Sequence, residues 1–144
     1  MAYKNIEINS SASVTQQAIK KSQFYKGFST LTESSNTKLY DFELICQDIL
    51  NHFNTRKGER VMNPGFGSDI WNFLMEPLTE EIKSMLVEDI NKICTFDPRV
   101  TPIQMDLTEY ESGYILELTL LLNGTDQSKN MKLAFDQNIG LIVE

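Results

Sequence analysis

Apolar residues recur along this chain in two rhythms, helical in its middle and strand-like towards its end. Phe42, Ile45, Cys46, Ile49 and Phe53 stand at i, i+3, i+4, i+7 and i+11, one face of a helix. Asp41 is placed to cap its start, and Gly58, preceded by Arg56 and Lys57, suits its end. Residues 68–75 read as a short helix with Ile70, Trp71 and Leu74 inward. A longer helix follows. Thr79 caps it, Glu80 and Glu81 favour its positive end, and Ile82, Met85, Leu86, Ile90 and Ile93 form its stripe. Pro98 stops it, because the residue before a proline is pushed out of the α region.

From there the period falls to two. Ile103, Met105 and Leu107 alternate with Gln104, Asp106 and Thr108. Tyr114, Leu116, Leu118, Leu120 and Leu122 alternate with Ile115, Glu117, Thr119 and Leu121. Met131, Leu133 and Phe135 alternate with Lys132 and Ala134, and a short apolar tail, Ile139 to Val143, follows a turn at Asp136-Gln137-Asn138. Helices first and strands second predict an α+β fold, two or three helices followed by an antiparallel β-meander. The strand at 114–122 is apolar on both faces, which predicts partial cover on the second.

Residues 54–71 interrupt these rhythms. They hold Gly58, Gly65 and Gly67, Pro64, the basic residues Arg56, Lys57 and Arg60, and the aromatics Phe66 and Trp71. Such a density of glycine predicts a fixed backbone path, with Phe66 and Trp71 packed beneath it against the long helix. The basic triplet reads as a solvated turn.

Ahead of the helices, residues 9–38 are about half Ser, Thr, Asn and Gln, a composition that buries little apolar area. This divides the chain into an extended N-terminal arm, 1–38, and one domain, 39–144. Phe24, Tyr25 and Phe28 cluster on the arm and predict docking onto the parent body or a partner.

Charge is unevenly placed along the chain. Residues 1–60 are net +2 and residues 61–144 net −9, for −7 over 144 residues. An acidic body argues against nucleic acid as the partner. No window approaches the roughly 18 apolar residues of a membrane span, and the first ten residues do not read as a secretory signal. Cys46 and Cys94 fall on helix stripes and read as buried free thiols.

Catalytic patterns are thin. His52 is the one histidine and reads as a packing or surface residue. Gly65-Phe66-Gly67 lacks the third glycine and the preceding strand of a dinucleotide site. Asp69 and Glu76 could be cast as a glycosidase pair, but helix capping explains both better. No cofactor or metal is expected.

Taken together, Thr55-Arg56-Lys57-Gly58-Glu59-Arg60, Asn63-Pro64-Gly65-Phe66-Gly67 and a helix ending in Asp97-Pro98-Arg99 before a strand resemble the GPW/gene-25-product-like family. These are baseplate-wedge and sheath-initiator proteins of contractile phage tails, with TssE as the type VI secretion member. The resemblance covers about residues 39–135. The arm sequence Gln23-Phe24-Tyr25-Lys26-Gly27-Phe28-Ser29-Thr30 is similar to the extension of marine contractile-phage versions. The family pattern at the helix end is Glu-Pro-Arg; here the acid is Asp97, one methylene shorter.

The resemblance implies structural work in the virion tail baseplate, assembled in the host cytoplasm. It assigns Asp97, Pro98 and Arg99 to the helical core bundle of the other wedge subunits, with Arg99 reaching across the interface. An internal salt bridge closing the helix is the alternative. It gives the β-rich part a sheath-like role, in which Met131, Leu133, Phe135, Ile139, Leu141 and Val143 form or border an edge that accepts strands of the tail sheath protein. The alternative is that the tail completes its own sheet. Tube or hub proteins are candidate partners of the arm. Two other classes stay open: a muramidase-type cell-wall hydrolase, since family members have carried the lysozyme name, and a soluble adaptor binding one partner 1:1. The tail reading instead predicts incorporation in a six-fold assembly.

Overall fold

The computed structural model describes residues 25–29 and 38–144. Two short strands, β1 (Lys26–Phe28) and β2 (Lys38–Tyr40), pair antiparallel ahead of the first helix. Helices α1 (Asp41–Asn54), α2 (Ile70–Phe73) and α3 (Glu80–Phe96) follow. Four strands then form an antiparallel meander in the order β3 (Val100–Tyr110), β4 (Gly113–Leu122), β5 (Ser128–Asp136), β6 (Gly140–Val143). This is the α+β architecture that the two rhythms predict. Phe24, residues 1–23 and residues 30–37 lie outside the described residues.

The core joins the helices to one face of the sheet. Ile45, Ile49 and Phe53 of α1 and Leu86, Ile90 and Ile93 of α3 are buried together with Leu116, Leu118, Leu120, Leu133 and Phe135. Phe53 meets Phe135 edge to face, with ring centroids 5.9 Å apart. The Tyr114 hydroxyl, buried at this seam, lies 2.7 Å from the Phe73 carbonyl and 2.6 Å from that of Glu76, tying the sheet to the exit of α2.

Four local expectations need correction. Asp41 is the first residue of α1 and not its cap; Tyr40 holds the cap position with no side-chain bond. Asp41 has φ +45°, which a short polar side chain tolerates. Its carboxylate accepts from the Tyr25 amide at 2.9 Å, while its own amide donates to the Tyr25 carbonyl at 3.0 Å. The end of α1 comes at Asn54, before Gly58, because Thr55 is already extended. Its carbonyl then accepts from the Ser68 amide, beside a parallel bridge between Arg56 and Ser68. Met85 is exposed, and the inward stripe of α3 takes Asp89 among its buried positions. Thr79 does cap α3, accepting from the Ile82 amide.

The fourth correction concerns β3. Ile103 is 59% exposed, where strict alternation would bury it. The register shifts between Pro102 and Gln104, so Pro102 faces Leu120 while Met105 faces Leu118. A bulge adds one unpaired residue, and one extra residue moves the apolar positions from even to odd numbers.

The tail completes its own sheet. Leu133, Ala134, Phe135 and Asp136 pair with Val143, Ile142, Leu141 and Gly140. Asp136 fixes the turn between them. Its carboxylate accepts from the Ser112 hydroxyl, from the Asn138 and Ile139 amides and from the Tyr110 hydroxyl. These donors, Ser112 first and the Asn138 amide next, hold its pKa down at about 2. On the second face of the sheet, Ile115 and Leu121 are half-buried and Ala134 is buried. Both cysteines are buried and free, as expected, and burial pushes the Cys94 thiol up to about 12.

Candidate functional site

The connection between α1 and α2 is braced from its root to its turns, as its glycines predict. Gly58 has φ +85° and donates to the Pro64 carbonyl at 2.9 Å. Gly67 has φ +118° and passes against the backbone of Thr55 and Arg56. Gly65 is different: a Cβ there would meet only Asn63 Oδ1, at an ordinary 3.9 Å. Its expected backbone role is not present.

The basic triplet is a solvated turn only in part: Arg56 and Arg60 are exposed, but Lys57 is half-buried and paired. Lys57 Nζ lies 2.5 Å from Asp89 Oδ1 and 2.6 Å from Asp69 Oδ2. Burial opposes its charge, but the hydrogen bonds it donates to Asp69 and Asp89, with their negative charge, outweigh burial and raise its pKa. The Arg60 guanidinium sits 3.8 Å from the Phe66 ring centre, and Arg56 stands 5.7 Å over Trp71. Trp71 donates its indole N–H to the Phe53 carbonyl and meets Phe135 edge to face.

Asp89 is one residue that sequence reasoning missed. It is buried on α3, and besides Lys57 it accepts from the Asp69 amide at 3.0 Å. The one signal for it was a carboxylate set into the apolar stripe between Leu86 and Ile90. Asp69 starts α2 without capping it; its carboxylate serves Lys57 instead. Glu76 lies just beyond α2 with its side chain in solvent.

His52 is a packing residue, as expected. Its ring stacks on Phe66 at 3.8 Å and meets Phe96 edge to face at 5.4 Å. Phe66 therefore lies between an imidazole and a guanidinium. Burial lowers the His52 pKa, Asp89 opposes that, and Arg60 and Lys57 add to it. The stacked ring is thus the neutral imidazole near neutral pH.

Beyond Phe96 the chain turns at Asp97-Pro98-Arg99. Asp97 is extended, and its Oδ1 accepts from the Arg99 amide at 3.0 Å. Arg99 Nε donates to Asp97 Oδ1 at 2.8 Å, and Nη2 donates to both Asp97 Oδ2 and Asp48 Oδ2. The bidentate fork thus closes within the chain, and it lowers the Asp97 pKa while raising that of Arg99. Asp48, on α1, was not singled out from the sequence, since an exposed helix carboxylate has no local signature. Asn123, after β4, clamps the turn: its side chain donates to the Pro98 carbonyl and its amide to that of Arg99, both at 2.8 Å. The Tyr25 ring lies 5.2 Å from the guanidinium. Phe28, on β1, is exposed.

An open groove of about 450 Å³ separates this turn from the braced loop. Ile49, His52, Phe66, Ile93, Phe96 and Pro98 line its apolar part, with Arg60 and Arg99 on its polar margin. Two of the sequence-derived sets, the glycine-rich loop and Asp97-Pro98-Arg99, therefore share one cavity. The third set, on β5 and β6, is not among its lining residues. Met131, Leu133 and Phe135 are buried in the core, Leu141 is half-buried, and Ile139 and Val143 are exposed at the sheet's end. Among the described residues no group of His, Cys, Asp and Glu could hold a metal, and no helix is long and apolar enough to cross a membrane.

A model of the family described as baseplate wedge protein gp25 matches residues 41–127. The fold is similar to that of a crystal structure from Geobacter sulfurreducens that carries the provisional name of tail lysozyme. The TM-score is 0.57 and the identity 19%, over 65% of this chain and 88% of that one. At that identity the likeness concerns the fold alone. No curated protein matches the sequence.

Proposed function

The chain belongs to the baseplate wedge protein gp25 family, and from that premise we propose that it both docks into the wedge core and offers the sheet edge from which sheath grows. The coarse role follows from the family: a structural component of a phage tail baseplate, in contact with other baseplate components. The finer assignments are our reading. We take residues 1–38 as an arm towards tube or hub proteins and 39–144 as the wedge domain.

For the wedge contact, the support is the apolar groove beside Asp97-Pro98-Arg99, a shape suited to a helix of a core bundle. In this reading Pro98 and the internal Asp97 fork preset the Arg99 guanidinium at the groove margin, where its remaining donor edge meets the partner. Arg99→Ala is expected to leave the chain folded, at a cost of about 1–3 kcal/mol for the unmatched Asp97 carboxylate, and to lower incorporation into baseplates. A variant that unfolds, or one that assembles normally, would sink this assignment.

The sheath contact is carried by the difference between the two edges of the sheet. The β3 edge is interrupted by Pro102 and by the bulge at Ile103, devices that discourage another strand. The β6 edge carries neither. Moreover, β6 covers residues 133–136 of β5, and Glu144 reaches Lys132, leaving residues 128–131 beyond its end. A sheath strand could continue the line of β6 there or pair along its outer side. Amide exchange tests this. In the free chain, 133–136 should be protected and 128–131 with β6 incompletely so; protection there should rise on adding sheath protein. Full protection throughout 128–143 in the free chain would rule the reading out.

We read the protein as non-enzymatic. A muramidase acid needs a carboxyl in an apolar setting, whereas Glu76 is in solvent and Asp69 is tied to Lys57. The lysozyme name belongs to the Geobacter protein.

A further inference from the structure

The turn at residues 60–64 ends in two large apolar side chains held out in solvent. Val61 is 93% exposed and Met62 96%, although Arg60 and Phe66, close to them in the chain, line an apolar groove. A slack loop would fold such side chains back onto that groove, because burying each is favourable. This loop is held away from it. Gly58 N bonds Pro64 O at 2.9 Å, Asn63 N bonds Arg60 O at 3.2 Å, and Phe66 N bonds Asn63 O at 3.1 Å. Its root is fixed by Arg60 on Phe66 and by Lys57 on Asp69 and Asp89.

We propose that Val61 and Met62 form an interaction knob that seats in an apolar socket on a neighbouring protein subunit of the baseplate. The inference rests on the baseplate reading and adds a contact distinct from Asp97-Pro98-Arg99 and from the β6 edge. Charge selects a protein socket over a lipid surface. A loop that inserts into a membrane sets free cations beside its apolar tip to meet headgroup phosphates. Here Lys57 is held by two carboxylates, Glu59 adds an exposed carboxylate to the same turn, and Arg56 and Arg60, though exposed, are each laid over an aromatic ring and not aimed at the tip. The whole chain is net −7. An uncharged socket matches the tip. Arg60 and Phe66 also line the groove, so a partner covering the groove reaches the knob without a break. A braced loop loses little freedom on docking, and a few apolar side chains can carry much of an interface's affinity.

The test uses the full chain carrying Val61→Ser and Met62→Ser, titrated against the co-expressed wedge subunits of the same tail. Both side chains lie in solvent, so the thermal midpoint should not move. Affinity should fall roughly tenfold or more, and Val61→Leu with Met62→Leu should retain it. A serine variant that binds like the wild type overturns the knob and leaves the baseplate reading standing. A wild-type chain that does not join the wedge overturns both. Binding of the wild type to anionic phospholipid vesicles, lost in the serine variant, would assign the tip to a membrane and overturn the protein socket.

Discussion

Gly113→Ala is expected to destabilise the protein by at least about 3 kcal/mol, the upper end of overpacking costs. Gly113 opens β4 and pairs with Asp136 of β5. A Cβ at this position would stand 1.8 Å from the Phe135 carbonyl oxygen and 2.9 Å from its carbonyl carbon. Those atoms are backbone within a ladder, with β4 on one side and β6 on the other, so no rotamer change relieves the overlap. The strands must part, and with them go the Asp136 turn and the seating of β6. Small domains hold only about 5–15 kcal/mol in all, so the loss is a large share of the total. Urea denaturation should show a midpoint far below that of the wild type; a midpoint within error of it would mean that β4 and β5 do not approach this closely. If the proposed sheath contact holds, the same variant should also lose sheath-dependent protection at residues 128–143, since β5 and β6 would be displaced.

Gly67→Val should cost about 2–4 kcal/mol, by adding backbone strain to a clash. At φ +118° an L side chain is already strained, and its Cβ would stand 2.7 Å from Thr55 O and from Arg56 C. The neighbouring glycines serve as internal controls. Gly58 shares a positive φ but faces open space, so Gly58→Ala should cost about 1–2 kcal/mol from the backbone alone. Gly65 has neither feature, and Gly65→Ala should be close to neutral. The expected order is therefore Gly67, then Gly58, then Gly65. Equal effects at all three would show that the loop follows no fixed path. Because Phe66 adjoins Gly67 and stacks on His52, Gly67→Val should also distort the groove and, on the proposed wedge contact, weaken wedge binding beyond its effect on stability.

Much of this protein was legible without coordinates. The stripes of α1 and α3, the Thr79 cap, the stop at Pro98 and the three main strands follow from periodicity and from proline stereochemistry, which are local properties of the chain. The loop and the Asp-Pro-Arg turn stood out as motifs because their residue types are unusual together. Their partners did not. Lys57 and Arg60 read alike as cations of a solvated turn and Arg99 as an interface cation or half of an internal salt bridge, yet Lys57 holds two carboxylates, Arg60 lies on Phe66 and Arg99 forks onto Asp97.

What separates these three is the set of side chains the fold brings near. Asp89 reaches Lys57 across 32 positions and Asp48 reaches Arg99 across 51, spacings to which no local pattern refers. Ile103 shows the same limit within a strand. Its alternation was correct in form, but a single bulged residue, chosen by pairing against β4, reversed which face it occupies. The tail could likewise be read as a strand, while its place beside β5 depended on the Asp136 turn that returns it to the sheet. Sequence by itself determined the main helices, the meander strands and the constrained loop, though not the β1–β2 pair, because those choices are made over a few residues. Tertiary structure alone decided which charges are satisfied, which edge is open and where the apolar tip is held, because each depends on groups distant in sequence arriving within a few ångströms.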